Sequence, residues 1–186
     1  MRNASFHVRF CRHCKNIFLI LFGLSAFTLA HAATVNGIIS VTITLTDSCL
    51  VNGATPTAGG TWGTLDFGSH PTGFTQADAQ VEGQASSPIT VQCRSATAPT
   101  VSIISGINDT QGGSHAHAMA NGSNYVPYDI YSDTARSISV VNNTTFFTSA
   151  NNGTVENINI YGRAYGNSPI PPSGTYTDEL TVQLTY

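Results

Sequence analysis

Apolar and polar residues alternate along much of this chain, and a period of two is typical of β-strands. The first alternating run covers residues 35–45, and its second face is mainly Asn, Ser and Thr, with Ile38 as the exception. The first face is formed by Val35, Gly37, Ile39, Val41, Ile43 and Leu45. This run predicts a long strand with one apolar face.

The last alternating run is the most regular one. Thr181, Gln183 and Thr185 alternate with apolar residues up to the end of the sequence. Those apolar residues are Leu180, Val182, Leu184 and Tyr186. The pattern predicts a strand that lays its apolar face on the core.

Shorter runs between these two predict further strands. They cover residues 89–94, 101–103, 125–131, 138–140 and 158–164. Pro127 favours an edge strand or a bulge, because proline cannot donate to a strand ladder. Asn152-Gly153 lies between two apolar stretches and predicts a hairpin turn.

No amphipathic helix of useful length is visible. Residues 51–63 and 105–124 are rich in Gly, Ser and Asn and are predicted to be loops. Many short strands separated by turn signals predict an all-β chain that folds as a single β-sandwich domain.

Composition narrows the function classes. Charged residues make up 9% of the 186 residues, against about 25% in a typical soluble domain. Basic residues are concentrated in the first sixteen positions, and only Arg94, Arg136 and Arg163 follow them. No basic patch is therefore left for nucleic-acid binding.

The N-terminal residues have the three parts of a secretory signal peptide. A basic segment precedes an apolar run at residues 17–30, and Ala30-His31-Ala32 follows it. The run is too short to span a bilayer of about 30 Å comfortably, so cleavage after Ala32 is favoured over an uncleaved membrane anchor. The Cys11–Cys14 pair, which has the spacing of a redox or zinc motif, would be removed with residues 1–32.

The mature chain would then begin at Ala33. It would hold three arginines and ten acidic residues, a formal net charge of −7. Cys49 and Cys93 would be its two cysteines. In an exported protein such a pair predicts a disulfide bond formed in an oxidising compartment.

Catalytic and metal-binding motifs are scarce. No G-x-S-x-G nucleophile motif occurs. His115-Ala116-His117 is the one metal-like spacing, and the mature chain has too few histidines for a site like that of copper-zinc superoxide dismutase. Both histidines are expected in an exposed loop, and Asp178 and Glu179 are expected to be surface or turn residues. No enzyme activity and no cofactor is expected.

Several segments, in order, resemble the spore coat protein U domain, the subunit domain of archaic (Csu-type) chaperone–usher pili. They are the strand leading to Cys49, then residues 63–68 (GTLDFG), 89–93 (ITVQC), Met119, 128–133 (YDIYSD), 161–163 (YGR) and 174–178 (GTYTD). One departure is that His117-Ala118 stands where the family often has a basic residue before its Met.

The resemblance implies an incomplete immunoglobulin-like sandwich that lacks its last strand, with residues 33–46 as an N-terminal donor strand and 47–186 as the domain. Val35, Gly37, Ile39, Val41 and Ile43 would enter the groove of a neighbouring subunit. Leu180, Val182, Leu184 and Tyr186 would line the groove and contact the chaperone. The sequence ends on that strand, which agrees with a missing strand beside it.

The partners implied are copies of this chain or related pilins, a periplasmic chaperone and an outer-membrane usher. The protein would pass through the periplasm and form an extracellular fimbria that supports adhesion and biofilm formation, with no nucleic acid and no small-molecule substrate. Three alternatives stay open. Residues 35–45 could be the first strand of a closed domain, the chain could be a carbohydrate-binding adhesin that uses Trp62 and its tyrosines, or it could be a spore or cell-coat protein.

Overall fold

A computed structural model describes residues 34–166 and 168–186, and the chain divides into two units, Met1–Thr42 and Ile43–Tyr186. The second unit is built from strands and two short 3-10 helices, Gln84–Ser86 and Asp109–Gln111. Its strands are β1 (Ser48–Val51), β2 (Thr64–Leu65), β3 (Gln76–Glu82), β4 (Ile89–Arg94), β5 (Thr100–Gly106), β6 (His117–Asn121), β7 (Asn124–Tyr131), β8 (Thr145–Thr148), β9 (Val155–Ile158), β10 (Tyr161–Tyr165) and β11 (Leu180–Thr185).

The strands form three antiparallel sheets in a sandwich-like arrangement. Two sheets have three strands each, in the orders β1-β4-β9 and β11-β5-β8, and the third has the order β2-β3-β10-β7-β6. The predicted all-β sandwich is confirmed. The abundance of Thr, Val, Ile and Tyr suits pleated, half-buried surfaces, whereas few residues favour helices.

The core follows the alternation seen in the sequence. Ile158, Ile160 and Ala164 are all nearly inaccessible to solvent, although the chain changes sheets between them. Residues before this crossover pair with β4, and residues after it pair with β3 and β7. The run predicted as one strand is thus two strands, β9 and β10, that keep a common inward face.

Cys49 and Cys93 form a disulfide bond. They are directly opposite each other in the β1–β4 pair, with Cα atoms 4.2 Å apart. This distance is close to that of a non-hydrogen-bonded antiparallel pair, where side chains approach most closely. Both residues are buried in the core, as the alternation around Cys93 predicts.

The hairpin predicted at Asn152-Gly153 is wrong. Asn152 Oδ1 does accept bonds from the backbone N–H and the hydroxyl of Thr154, so the turn itself is present. The strands on its two sides, however, belong to different sheets, because β8 pairs with β5 and β9 pairs with β4. Gly153 N–H donates to the carbonyl of Cys93, which fixes the turn to β4 instead.

Two other strand predictions are also corrected. Residues 138–140 form no strand and make only a single bridge, from Ser139 to Tyr131, after a turn in which Asp133 accepts backbone bonds from Ser137 and Ile138. β7 is an interior strand of its sheet, not an edge strand. It tolerates Pro127 because its pairing with β10 covers only Tyr128 to Tyr131, which leaves the proline opposite β6 alone.

Of the predictions for the N-terminal residues, only the strand at residues 35–45 falls within the described part of the chain. The signal peptide and the Cys11–Cys14 pair lie outside the described residues. The strand predicted at residues 35–45 is absent, since residues 34–47 carry no secondary structure and β1 starts at Ser48. An extended segment becomes a ladder strand only when a second strand accepts its hydrogen bonds. Within the described part of the chain, no helix has the length and apolar character needed to cross a membrane.

Candidate functional site

β11 lies at the edge of the sheet β11-β5-β8. From Tyr176 to Leu184 the side chains alternate strictly between half-buried and exposed. The half-buried positions form a row that we call the inward row, and it consists of Tyr176, Asp178, Leu180, Val182 and Leu184. All of its apolar members pack against the core. The inward row is therefore one wall of the sandwich interior.

The inward row is only partly covered by the rest of the domain. Leu184 and Val182 are paired with Val101 and Ile103 of β5, so each pair shares one face of the sheet. Val101 is 1% exposed and Ile103 is 0% exposed, whereas Val182 and Leu184 stay half-buried. Burial thus falls from the middle of the sheet to its edge, which leaves apolar surface uncovered along β11.

The free edge of β11 also presents backbone hydrogen-bonding groups. Ile107 N–H donates to the carbonyl of Glu179, so the backbone of Glu179 faces β5. Backbone direction alternates along an antiparallel strand, and the groups of Leu180, Val182 and Leu184 therefore face the other edge. No strand among the described residues pairs with that edge. The same residues offer apolar side chains and ladder hydrogen bonds to an added strand.

Tyr186 follows β11, and the burial alternation ends before it, because Thr185 and Tyr186 are both exposed. It is 46% exposed, the most exposed of the four residues predicted to line a groove. The structure therefore brings Leu180, Val182 and Leu184 into one row, with Tyr186 beyond the end of the strand. Their predicted contact with a chaperone remains a prediction.

Asp178 carries the one charge in the inward row, and polar groups surround it. Tyr128 Oη donates to Asp178 Oδ2 at 2.7 Å, and Asn108 Nδ2 donates to Oδ1 at 3.0 Å. Tyr128 is on β7 of the facing sheet, so this bond connects the two layers. Burial, together with the nearby Asp178 carboxylate, raises the pKa of Tyr128 and keeps its hydroxyl protonated as a donor.

A second buried network lies next to Asp178. Asp109 accepts bonds from His117 Nδ1 at 2.6 Å, from the backbone N–H of Gly106 at 2.8 Å and from Asn142 Nδ2 at 2.8 Å. A Cβ at Gly106 would lie within 2.7 Å of Asp178 Oδ2 and would also meet the Asp109 carboxylate. Glycine at position 106 is what allows both carboxylates to approach the end of β5.

Neither of the two histidines expected in an exposed loop is exposed, since His115 is half-buried and His117 is fully buried. His117 is on β6 and is 0% exposed, so the predicted loop position is wrong for it as well. The error arises because β6 lies inside the Gly- and Ser-rich segment predicted as a loop. His115 Nδ1 donates to Asp129 Oδ2 at 2.8 Å, and its ring stacks on Tyr165. The two histidines hold separate carboxylates, and the described residues contain no group of three ligands suited to a metal ion.

Residues 34–47 carry the other half of the predicted site. Ile39, Val41 and Ile43 are 87%, 86% and 82% exposed, and Val35 is 90% exposed. Gly37 is also exposed, with open space where a Cβ would be. An apolar, strand-patterned segment exposed in this way is an incomplete structural element that suits pairing with another chain.

Sequence reasoning missed the role of the residues around Asp178. It expected Asp178 to be a surface or turn residue, whereas the structure makes it part of the inward row. The period-two spacing from Leu180 back to Asp178 was a usable signal. Tyr128 and Asn108 had no such signal, because only the packing of the two sheets brings them to Asp178.

The sequence model of the Spore Coat Protein U domain matches residues 35–183 of this chain. The match includes both the exposed N-terminal segment and most of β11. No curated protein matches the chain.

Proposed function

The chain belongs to the Spore Coat Protein U domain family, and on this premise we propose that it is a structural subunit of an extracellular pilus. Subunits would join when residues 35–43 of one copy add as a strand to β11 of the next. No catalytic residue and no cofactor takes part, and function consists of assembly.

The observation that carries the proposal is the open edge of β11. An edge strand with uncovered apolar side chains and unpaired ladder groups is unfavourable in water and prone to pair with other chains. Natural proteins shorten, charge or cover such edges. Here the edge strand keeps three apolar residues in phase, Leu180, Val182 and Leu184, which favours a role in strand addition.

The exposed N-terminal segment is a suitable strand for that edge. Its in-phase side chains, Val35, Ile39, Val41 and Ile43, would all enter one groove, because residues two apart share a face. Burying four aliphatic side chains contributes about 6–12 kcal/mol before ordering costs are subtracted. Gly37 would let the added backbone approach closely.

An open edge needs protection before assembly, which supports two further partners. A periplasmic chaperone would cover β11 by lending a strand, and an outer-membrane usher would receive the complex for export. The Cys49–Cys93 disulfide fits passage through an oxidising compartment. The assembled fimbria would support adhesion and biofilm formation.

Self-complementation tests the proposal. Residues 35–43 are appended to the C-terminus of the chain through a flexible linker, with the disulfide formed. The control appends the same segment with Ile39 and Val41 changed to Asp. Melting temperature and gel-filtration profile are compared with those of the unmodified chain.

We expect the appended strand to convert a polymerising or unstable chain into a monomer with a much higher melting temperature. The Asp-containing control should behave like the unmodified chain. If the unmodified chain is already a stable monomer and neither addition changes its melting temperature, the sandwich is closed. A coat protein or a carbohydrate-binding adhesin would then be the better assignment.

A further inference from the structure

The inward row changes character at Asp178. Three successive members toward the C-terminus, Leu180, Val182 and Leu184, are aliphatic, and the next member on the other side is a carboxylate. Asp178 lies two residues before β11 and continues its inward alternation, but it is charged where the inward positions of β11 are apolar. Such local exceptions concentrate at functional sites.

The Asp178 carboxylate is held in place from two sides. Tyr128 donates a hydrogen bond to Oδ2 at 2.7 Å, and Asn108 donates one to Oδ1 at 3.0 Å. Asp178 Oδ2 and Leu180 Cδ2 both lie next to Gly106, at 2.7 Å and 3.1 Å from the point that a Cβ would occupy there. The carboxylate therefore lies directly beside the start of the apolar part of the row.

An inward-pointing charge is one of the devices by which edge strands avoid unwanted pairing. An aliphatic side chain laid over Asp178 would remove water from a carboxylate without giving it a new donor, which is unfavourable. A glycine or a hydrogen-bond donor at that place would not incur this cost. The position thus discriminates between side chains of an added strand.

We propose that Asp178 is a specificity-determining residue of the β11 edge, where it ends the apolar part of the groove and limits the register of the added strand. The occupant is residues 34–46 of a second copy, so the inference rests on the proposed function. The aliphatic row of that segment is confined to positions 180–186. The residue over Asp178 must be small or able to donate a hydrogen bond.

A peptide series tests this assignment. Labelled peptides of residues 34–46 carry a single Arg at each in-phase position in turn, at positions 35, 37, 39, 41, 43 and 45. Their affinities are measured for the full exported chain, taken as the monomer fraction from gel filtration. The same peptides are titrated into D178N, which keeps the shape of the side chain, and into E179Q, which alters the neighbouring outward carboxylate.

We expect that Arg at one peptide position leaves the affinity for the wild-type chain nearly unchanged. D178N should bind that Arg peptide about tenfold more weakly than the wild-type chain does. E179Q should change no affinity ratio by more than about twofold, because position 179 faces solvent. On the wild-type chain alone, the advantage of that Arg peptide should shrink as NaCl is raised. This second measurement does not depend on how well D178N folds.

Two results would overturn the inference. If the unmodified peptide binds but no Arg position responds to D178N or to salt, Asp178 plays no part in recognition while strand addition stands. If the unmodified peptide does not bind the wild-type chain at all, strand addition itself fails and the role of Asp178 fails with it.

Discussion

Leu184 of β11 lies directly opposite Val101 of β5 on the same face of one sheet, yet only Val101 is fully buried. The difference has a simple geometric cause. Val101 has β11 on one side and β8 on the other, whereas Leu184 has β5 on one side and, among the described strands, none on the other. The pair marks the boundary between the finished core and the edge where a further strand fits.

Leu184→Asp should abolish polymer formation while leaving the domain folded. The half-buried side chain packs against the core beside the uncovered edge, and a carboxylate there would have no partner under an added strand. Gel filtration and electron microscopy of the exported chain give the measurement. Gln183→Asp is the matched control, because Gln183 faces solvent, and it should assemble normally. Equal assembly by the two variants would contradict the role of the β11 edge.

In the N-terminal segment, Ile39→Asp should block assembly and Ile38→Asp should not. The two residues are adjacent and almost equally exposed, at 87% and 97%. They differ in phase, since only Ile39 shares a face with Val41 and Ile43. Assembly kinetics of both variants, followed by light scattering, would decide the matter. A loss of assembly in both would mean that general apolar character, and not strand phase, is what the segment supplies.

Tyr128→Phe should lower the free energy of unfolding by about 1–3 kcal/mol, because Asp178 Oδ2 would lose its donor in a half-buried site. Urea unfolding followed by circular dichroism measures the change. Tyr161→Phe is a suitable comparison, since the ring of Tyr161 keeps its contact with Arg136 without the hydroxyl. The free energy of unfolding of Tyr161→Phe is expected to differ from that of the wild-type chain by no more than about 0.5 kcal/mol. Similar losses in both variants would speak against a specific Tyr128–Asp178 bond.

Replacing both Cys49 and Cys93 by Ala should destabilise the domain by about 4 kcal/mol on the chain-entropy model, given a sequence separation of 44 residues. Lost packing of two core residues would add to this effect. Thermal unfolding of the wild-type chain with and without a reductant gives an independent measurement. A melting temperature that is insensitive to the reductant would contradict a structural disulfide.

Acid unfolding should depend on Asp78. Arg163 donates to its two oxygens at 2.7 and 2.9 Å, and this bond, with the nearby charge of Arg136, holds the pKa of Asp78 below its ordinary value. The pair therefore stabilises the fold above about pH 4, where the unfolded carboxyl is ionised, and loses its effect as the pH falls through the lower pKa of the folded state.

Asp78→Asn should thus be less stable than the wild-type chain at neutral pH, and the difference should vanish at acid pH. Unfolding in urea at a series of pH values gives the measurement. High salt should reduce the difference, because the pair is partly exposed. A difference that is constant at every pH would mean that the variant acts through packing instead of charge.

Alternation made several elements of the fold predictable. β4, β5, β7 and β11 lie where period-two runs indicated strands, and Cys93 points inward with its neighbours as expected. The pairing of the strands was harder to predict from the sequence. Asn152-Gly153 has the residues of a hairpin turn, but local turn chemistry does not specify which sheet each flanking strand joins.

β6 and His117 illustrate another limit. The segment around them is rich in Gly and Ser, so propensity alone indicates a loop. A strand forms there because β7 supplies a ladder partner, and His117 is buried because Asp109 and Tyr128 enclose it. Tertiary contacts outweigh a weak local preference here, because β7 pairs with the backbone of β6 and Asp109 accepts a hydrogen bond from His117 Nδ1.

The sequence by itself determined that the chain is all-β, which residues face inward in its clearest strands, and which cysteines pair. It also determined the two apolar rows, at residues 35–45 and 180–186. These depend on which residues share a face, and a period of two is a property of the local chain. Only the tertiary structure decided that β11 is an edge strand, that its apolar row is half-covered, and that Asp178 ends that row. Edges, burial and the partners of a carboxylate depend on neighbours distant in sequence, and no local pattern contains them.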